Sequence, residues 1–137
     1  IGSLVSVVKA SAFEGFSRLL LGKEKQPDIF YPDQGLAGKL DLPQVHCATV
    51  SSLKLEEDRF YSFESSGVDV IDMECSAFFA AAGHVTLKAA AVLYVSDVIK
   101  AKPFYQPLDE SSQKVLSSSL SRGVNLLCAL SKANTND

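Results

Sequence analysis

The chain has 137 residues, 47% of them apolar and 21% charged, with a formal net charge of −3. That balance fits one folded domain, excludes a disordered chain, and speaks against wholesale wrapping of nucleic acid. The longest mostly apolar run, Leu87 to Val95, carries Lys88 and falls well short of the roughly 18 to 20 residues of a membrane span, and no basic-then-apolar signal run opens the given residues.

Taken in chain order, Leu4 to Val8 predicts a short β-rich strand, preceded by Gly2 and followed by a loop with Glu14, Gly15 and Ser17. Gly22, Pro27, Pro32, Gly35, Gly38 and Pro43 punctuate the stretch to Leu42, which reads as a loop region with one short helix and no domain boundary. Val45 to Val50 predicts the next strand. Lys54 to Ser65 has helical phase, with Phe60 and Phe63 on one face and Gly67 as its stop. Val68 to Ile71 predicts a strand. Met73 to Ala82, small and apolar up to Gly83, predicts a helix buried nearly all round. Thr86 to Val95 predicts a long central strand covered on both faces, with Tyr94 buried in it. Pro103 and Pro107 break the next segment. Asp109 then caps a final helix whose apolar positions are Val115, Leu116, Leu120, Val124, Leu127 and Leu130, and a polar tail covers 133–137.

Cys47, Cys75 and Cys128 stand at unrelated spacings, with no CxxC and with His46 and His84 far apart. The sequence therefore predicts neither a disulfide framework nor a structural zinc site, and reduced cytoplasmic thiols are the simpler reading. Cys75 and Cys128 read as core packing, His46 as a packed histidine and His84 as a surface residue at a helix end.

Alternating strands and helices point to an α/β layer structure, in which ligands collect beyond the carboxyl ends of strands. Two polar sets sit at such places: Asp72, Met73 and Glu74 after one strand, Ser96 and Asp97 after another. Glu74 has two readings. In one, its carboxylate answers the free N–H groups of the helix start. In the other, it is a partly dehydrated carboxylate that takes two hydrogen bonds from a vicinal diol, with Met73 as a soft wall for a sugar ring. Asp97 either caps a turn with Ser96 or serves as an acid near neutral pH. Asp72 reads first as the N-cap of the helix behind it. Phe104 and Tyr105 either cover a bound base or anchor their loop.

The run Val70-Ile71-Asp72-Met73-Glu74-Cys75-Ser76-Ala77, then Gly83, then Val92-Leu93-Tyr94-Val95-Ser96-Asp97, resembles the nucleoside phosphorylase and nucleosidase family, and Gly2-Ser3-Leu4-Val5-Ser6-Val7-Val8 is similar to its opening strand. The resemblance implies a three-layer α/β/α fold around a mixed central sheet. It implies that Glu74 binds the ribose 2′ and 3′ hydroxyls, with Met73, Asp72 and Ser96 also in the substrate site, and that Asp97 is the acid at purine N7. The Ser-Asp ending tilts the reading toward purines. The expected activity is cleavage of an N-ribosyl bond, with inorganic phosphate as co-substrate if the nucleophile is phosphate and no other cofactor or metal. The expected partners are a small-molecule nucleoside and further copies of the chain, in the cytoplasm, without nucleic acid or membrane.

Residues 1–132 align with the C-terminal part of that family's single domain, and the family's phosphate-holding glycine-rich loop and Arg precede the segment matched by Ile1. The chain, which begins with Ile1 rather than Met, is accordingly expected to be the latter part of a longer domain and not a self-sufficient catalyst. Val50 to Leu55, where the family supplies base-stacking residues, has no aromatic. That departure keeps open an alternative: a catalytically silent nucleoside-binding or storage member of the same fold.

Overall fold

A computed structural model describes residues 1–21, 29–52, 54 and 60–134. Contacts group the chain into two compact units, Ser6–Ala91 and Ile1–Val5 with Val92–Asp137.

The first unit is built on β1 (Leu4–Phe13), β2 (Ile29–Phe30), β3 (Gln44–Val50) and β4 (Val70–Asp72), in the order β2-β1-β3-β4. The sheet is mixed: β1 runs antiparallel to β2, and β1/β3 and β3/β4 are parallel. Register assigns the faces, because side chains alternate along each strand. Ala10 opposes Cys47, which opposes Val70, and Thr49 opposes Asp72, so these share one face. Phe13 opposes Val50, and Ala48 opposes Ile71, on the other.

Helices cover both faces. α3 (Phe60–Ser65) seals the second face with the buried ring of Phe63, which packs with Ala48, Val50, Val68 and Ile71 and meets Phe13 edge-on at 5.1 Å between ring centres. α4 (Cys75–His84) covers the first face, and α1 (Phe16–Leu21) lies against α4. The result is three layers around a mixed sheet, as the resemblance implies. A four-residue helix, α2 (Gln34–Ala37), capped by Asp33 through the amide of Leu36 at 2.9 Å, is the one short helix expected in the Gly/Pro-rich stretch. β2 was not anticipated, since two residues are too few to show a period. Gly67, at φ 67°, ends α3 as expected. Residues 22–28 and 55–59, together with the side chain of Phe60, lie outside the described residues, so the shared face of Phe60 and Phe63 does too.

Several expectations in this unit change: Ser17, expected in a loop, lies in α1, and the strand expected at Val68 to Ile71 is Val70–Asp72. The strand after β1's start runs further than Val8, to Phe13. The helix from Met73 begins two residues later, passes through Gly83, and buries one stripe: Cys75, Ser76, Phe79 and Ala80, with Phe78 49% exposed. A run so dominated by small and apolar residues has no polar face to reveal which side meets the sheet. The apolar run Thr86–Val95 is regular strand only at β5 (Val92–Tyr94), which pairs with β1 but is partly buried instead of covered on both faces. After α4 the chain turns, with Leu87 N–H bonded to Ala82 C=O at 2.8 Å and Thr86 at φ 58°. That turn consumes residues 85–87 and leaves Leu87 67% exposed. The run then flanks other segments, Asp33 N–H bonding Ala89 C=O at 2.7 Å and Val7 N–H bonding Ala91 C=O at 3.1 Å.

Among the described residues of the second unit the regular strand residues are Leu4–Val5, the start of β1, and Val92–Tyr94, β5, and Tyr94 is 43% exposed, not buried. The opening residues pair beside it: Gly2 N–H donates to Val95 C=O at 2.7 Å, and Val95 N–H donates to Ser3 C=O at 2.9 Å. The long α5 (Glu110–Asn134) starts where expected, Asp109 accepting the Ser112 amide at 2.7 Å. Its packed side differs from the expected one. Ser112, Ser119 and Gly123 are buried, with Leu116, Leu126 and Leu130 partly so, while Val115, Leu120, Val124 and Leu127 are about half exposed. Small residues line this side: the Ser119 hydroxyl donates to the Gly2 carbonyl, and Gly123 packs beside Leu4. Cys128, expected in the core, is exposed. Among the described residues no helix is long and apolar enough to cross a membrane.

Candidate functional site

The junction between β4 and α4 carries three of the predicted residues. Asp72 ends β4, and its carboxylate is fully engaged. One oxygen accepts the Thr49 hydroxyl at 2.7 Å and the Cys47 thiol at 3.2 Å; the other accepts the amides of Cys75 at 2.7 Å and Glu74 at 3.2 Å. Asp72 thus satisfies amide donors that a helix start leaves unpaired. Glu74 occupies the N-cap position itself, yet its side chain makes no capping hydrogen bond and is exposed. Of the two readings of Glu74, the helix-start amides are taken by Asp72 instead. Met73 lies between them, 41% exposed.

Behind this junction runs a buried polar chain that the sequence did not signal. Thr49, fully buried, donates to Asp72 and accepts the Ser76 amide at 2.8 Å. The Ser76 hydroxyl donates to Glu14 at 3.0 Å. Glu14 also accepts the Ser17 hydroxyl and the amides of Phe16 and Ser17, capping α1. Burial pushes the Glu14 carboxyl up, but the hydrogen bonds from Ser17, Ser76 and Phe16 outweigh it and hold the group below its ordinary range. A hydrogen bond to Cys75, burial and the Asp72 charge all push the Cys47 thiol up, so it stays neutral. The only hint of this chain in the sequence is a polar residue at alternate strand positions, which looks the same when it faces solvent.

The other predicted residues, Ser96 and Asp97, belong to the second unit and follow β5 by two and three positions. The Ser96 hydroxyl donates to the Asp97 carboxylate, Ser96 is exposed and Asp97 half-buried. Past them the backbone folds on itself through the Val98–Lys102 bridge, and Phe104 and Tyr105, 54% and 61% exposed, meet edge-on at 5.4 Å. His46, expected as a packed histidine, is partly buried and held by polar contacts: Nδ1 donates to the Gly67 carbonyl at 3.0 Å, and Nε2 lies 2.8 Å from the Ser11 hydroxyl. His84 ends α4 at the surface.

A family model described as the phosphorylase superfamily matches residues 23–132. The chain belongs to this superfamily. No curated protein sequence matches it. Among solved structures it is similar to the 5′-methylthioadenosine/S-adenosyl homocysteine nucleosidase of Campylobacter jejuni, with a TM-score of 0.70, 14% identity and 93% of this chain covered. It is also similar to a proposed methylthioadenosine nucleosidase of Weissella paramesenteroides (TM-score 0.69, 15% identity, 98% covered). A third is the 5′-methylthioadenosine nucleosidase of Arabidopsis thaliana (TM-score 0.59, 16% identity, 91% covered). At such identity the likeness establishes the fold. The chain spans 59%, 62% and 54% of those three structures.

Proposed function

We propose that this superfamily member acts in cleavage of the N-glycosidic bond of a purine-type nucleoside. The observation that carries the reading is the exposed Glu74 carboxylate at the head of α4, released from capping because Asp72 holds the amides of Glu74 and Cys75. A carboxylate freed in this way can accept two hydrogen bonds from the adjacent hydroxyls of a ribose. Met73 gives the sugar an apolar wall, and Asp72 and Ser96 are supporting residues, Asp72 fixing the turn and Ser96 orienting Asp97.

In this reading Glu74 is the group at the ribose hydroxyls and Asp97 the acid at the base. The bond from C1′ to the base nitrogen breaks and its electron pair goes to the base. Asp97 serves as the acid at purine N7, protonating or hydrogen-bonding it, so that the charge developing on the leaving base is neutralised. The ribosyl cation-like centre, favoured by Glu74 on its hydroxyls, is captured at C1′ by water, which releases a proton to solvent, or by phosphate.

Isothermal titration of the purified protein with adenine, inosine and inorganic phosphate, together with chromatography of released base, tests this. Base release should fall about 10²- to 10⁴-fold in Asp97→Asn with little change in nucleoside affinity. Glu74→Ala should chiefly weaken the hold on the ribose. Binding without release favours the silent module, for which the missing aromatic in Val50 to Leu55 speaks. No binding of any purine compound ends the reading.

A further inference from the structure

We propose that Cys47, Asp72 and Cys75 form a binding site for a thiophilic divalent cation, with Zn²⁺ as the representative ion. The three donors come from three elements: the middle of β3, the end of β4 and the start of α4. One ligand atom from each lies within 4.8 Å of the other two, and Cys47 Sγ is 3.2 Å from the Asp72 carboxylate. In a tetrahedral site with metal–sulfur bonds of about 2.3 Å and metal–oxygen bonds of about 2.0–2.2 Å, neighbouring donors stand about 3.5–3.8 Å apart. The Cys47–Asp72 separation of 3.2 Å is already near that spacing, and no pair of donors exceeds it by more than about 1 Å.

The surroundings suit the chemistry. Both sulfurs are in buried residues, Cys47 at 0% and Cys75 at 4% exposure, and Asp72 is half-buried, which gives an approach from solvent. The carboxylate is oriented by the Thr49 hydroxyl and by the amides of Cys75 and Glu74, the kind of outer support that ligating carboxylates use. On binding, each thiol loses its proton to solvent and its sulfur lone pair goes to the cation. Two protons leave per ion, and the thiol hydrogen bond from Cys47 to Asp72 is replaced by two bonds to the metal. Water completes the fourth position. The ion clamps the turn that carries Met73 and Glu74, but its binding does not depend on the nucleoside reading.

The test uses reduced, metal-stripped protein. Cd²⁺ is titrated by thiolate charge-transfer absorbance, Zn²⁺ by competition against it, and proton release in weak buffer with an indicator dye. One ion per chain, two protons released, and a Zn²⁺-dependent rise in melting temperature that chelator reverses are expected. Cys128→Ser should keep all three within twofold, while Cys47→Ser, with helicity checked by circular dichroism, should weaken binding at least tenfold. If Cys47→Ser fails to fold, the proton count and melting shift in Cys128→Ser decide alone. Absence of uptake at micromolar ion, release of one proton or none, or uptake lost with Cys128→Ser overturns the site.

Discussion

Thr49 shows how one side chain ties sheet to helix. It is fully buried on β3, and its hydroxyl both donates to Asp72 and accepts the Ser76 amide. Valine has the same shape but neither function, so Thr49→Val leaves a buried amide unpaired and removes one support of the Asp72 carboxylate. The expected cost is about 1–3 kcal/mol, read from urea unfolding, and Thr49→Ser should recover most of it. A Val variant as stable as the parent would show that the Ser76 amide finds another acceptor. Asp72 itself was legible in the sequence as a helix-start residue, because an Asp between a β-rich run and an apolar helix is a local pattern. Thr49 was not, since its partners lie 23 and 27 positions away.

At the scale of elements, α5 illustrates a periodicity that is correct and a face that is not. The helix and its cap follow from local chemistry: Asp109 takes the Ser112 amide, and apolar residues recur at helical steps. The packed stripe, through Ser112, Leu116, Ser119, Gly123 and Leu130, is rotated from the most apolar one because the opening residues of the chain need close approach. Gly2 is the point of contact. It sits at φ 80°, and a Cβ there would stand 2.3 Å from a Val115 methyl and 3.0 Å from the Ser119 hydroxyl. Gly2→Ala should therefore destabilise the protein by about 1–3 kcal/mol, seen as a lower thermal midpoint. Ala at Gly15, where nothing lies within reach of an added Cβ, should be tolerated.

Across the whole molecule, acid is the condition that should matter most. Glu14 is held below its ordinary range by the Ser17, Ser76 and Phe16 donors that outweigh burial. Asp109 is held far below by the Ser111 hydroxyl, then by Ser112 and Lys102. A carboxylate whose folded value is depressed contributes stability above its unfolded value, and that stability is lost as pH falls through the folded value. Stability should hold from neutral pH down to about 5 and decline below about 4, where free carboxyls begin to protonate. Urea midpoints across that range should show a shallower acid limb in Glu14→Gln. An identical limb in Glu14→Gln and Asp109→Asn would mean that other carboxylates govern it.

The existence of β1, β3, β4, α3, α4 and α5, the caps at Asp109 and Gly67, and the polar residues Asp72, Glu74, Ser96 and Asp97 near strand ends were determined by the sequence alone, because each depends on neighbours within a turn or two. Which face of α4 and α5 is buried, how short β5 is, and that Asp72 rather than Glu74 holds the α4 amides were decided only in three dimensions. So was the meeting of Cys47 with Cys75, 28 residues apart in the chain, since parallel strands bring together side chains whose spacing in sequence is set by the crossover between them.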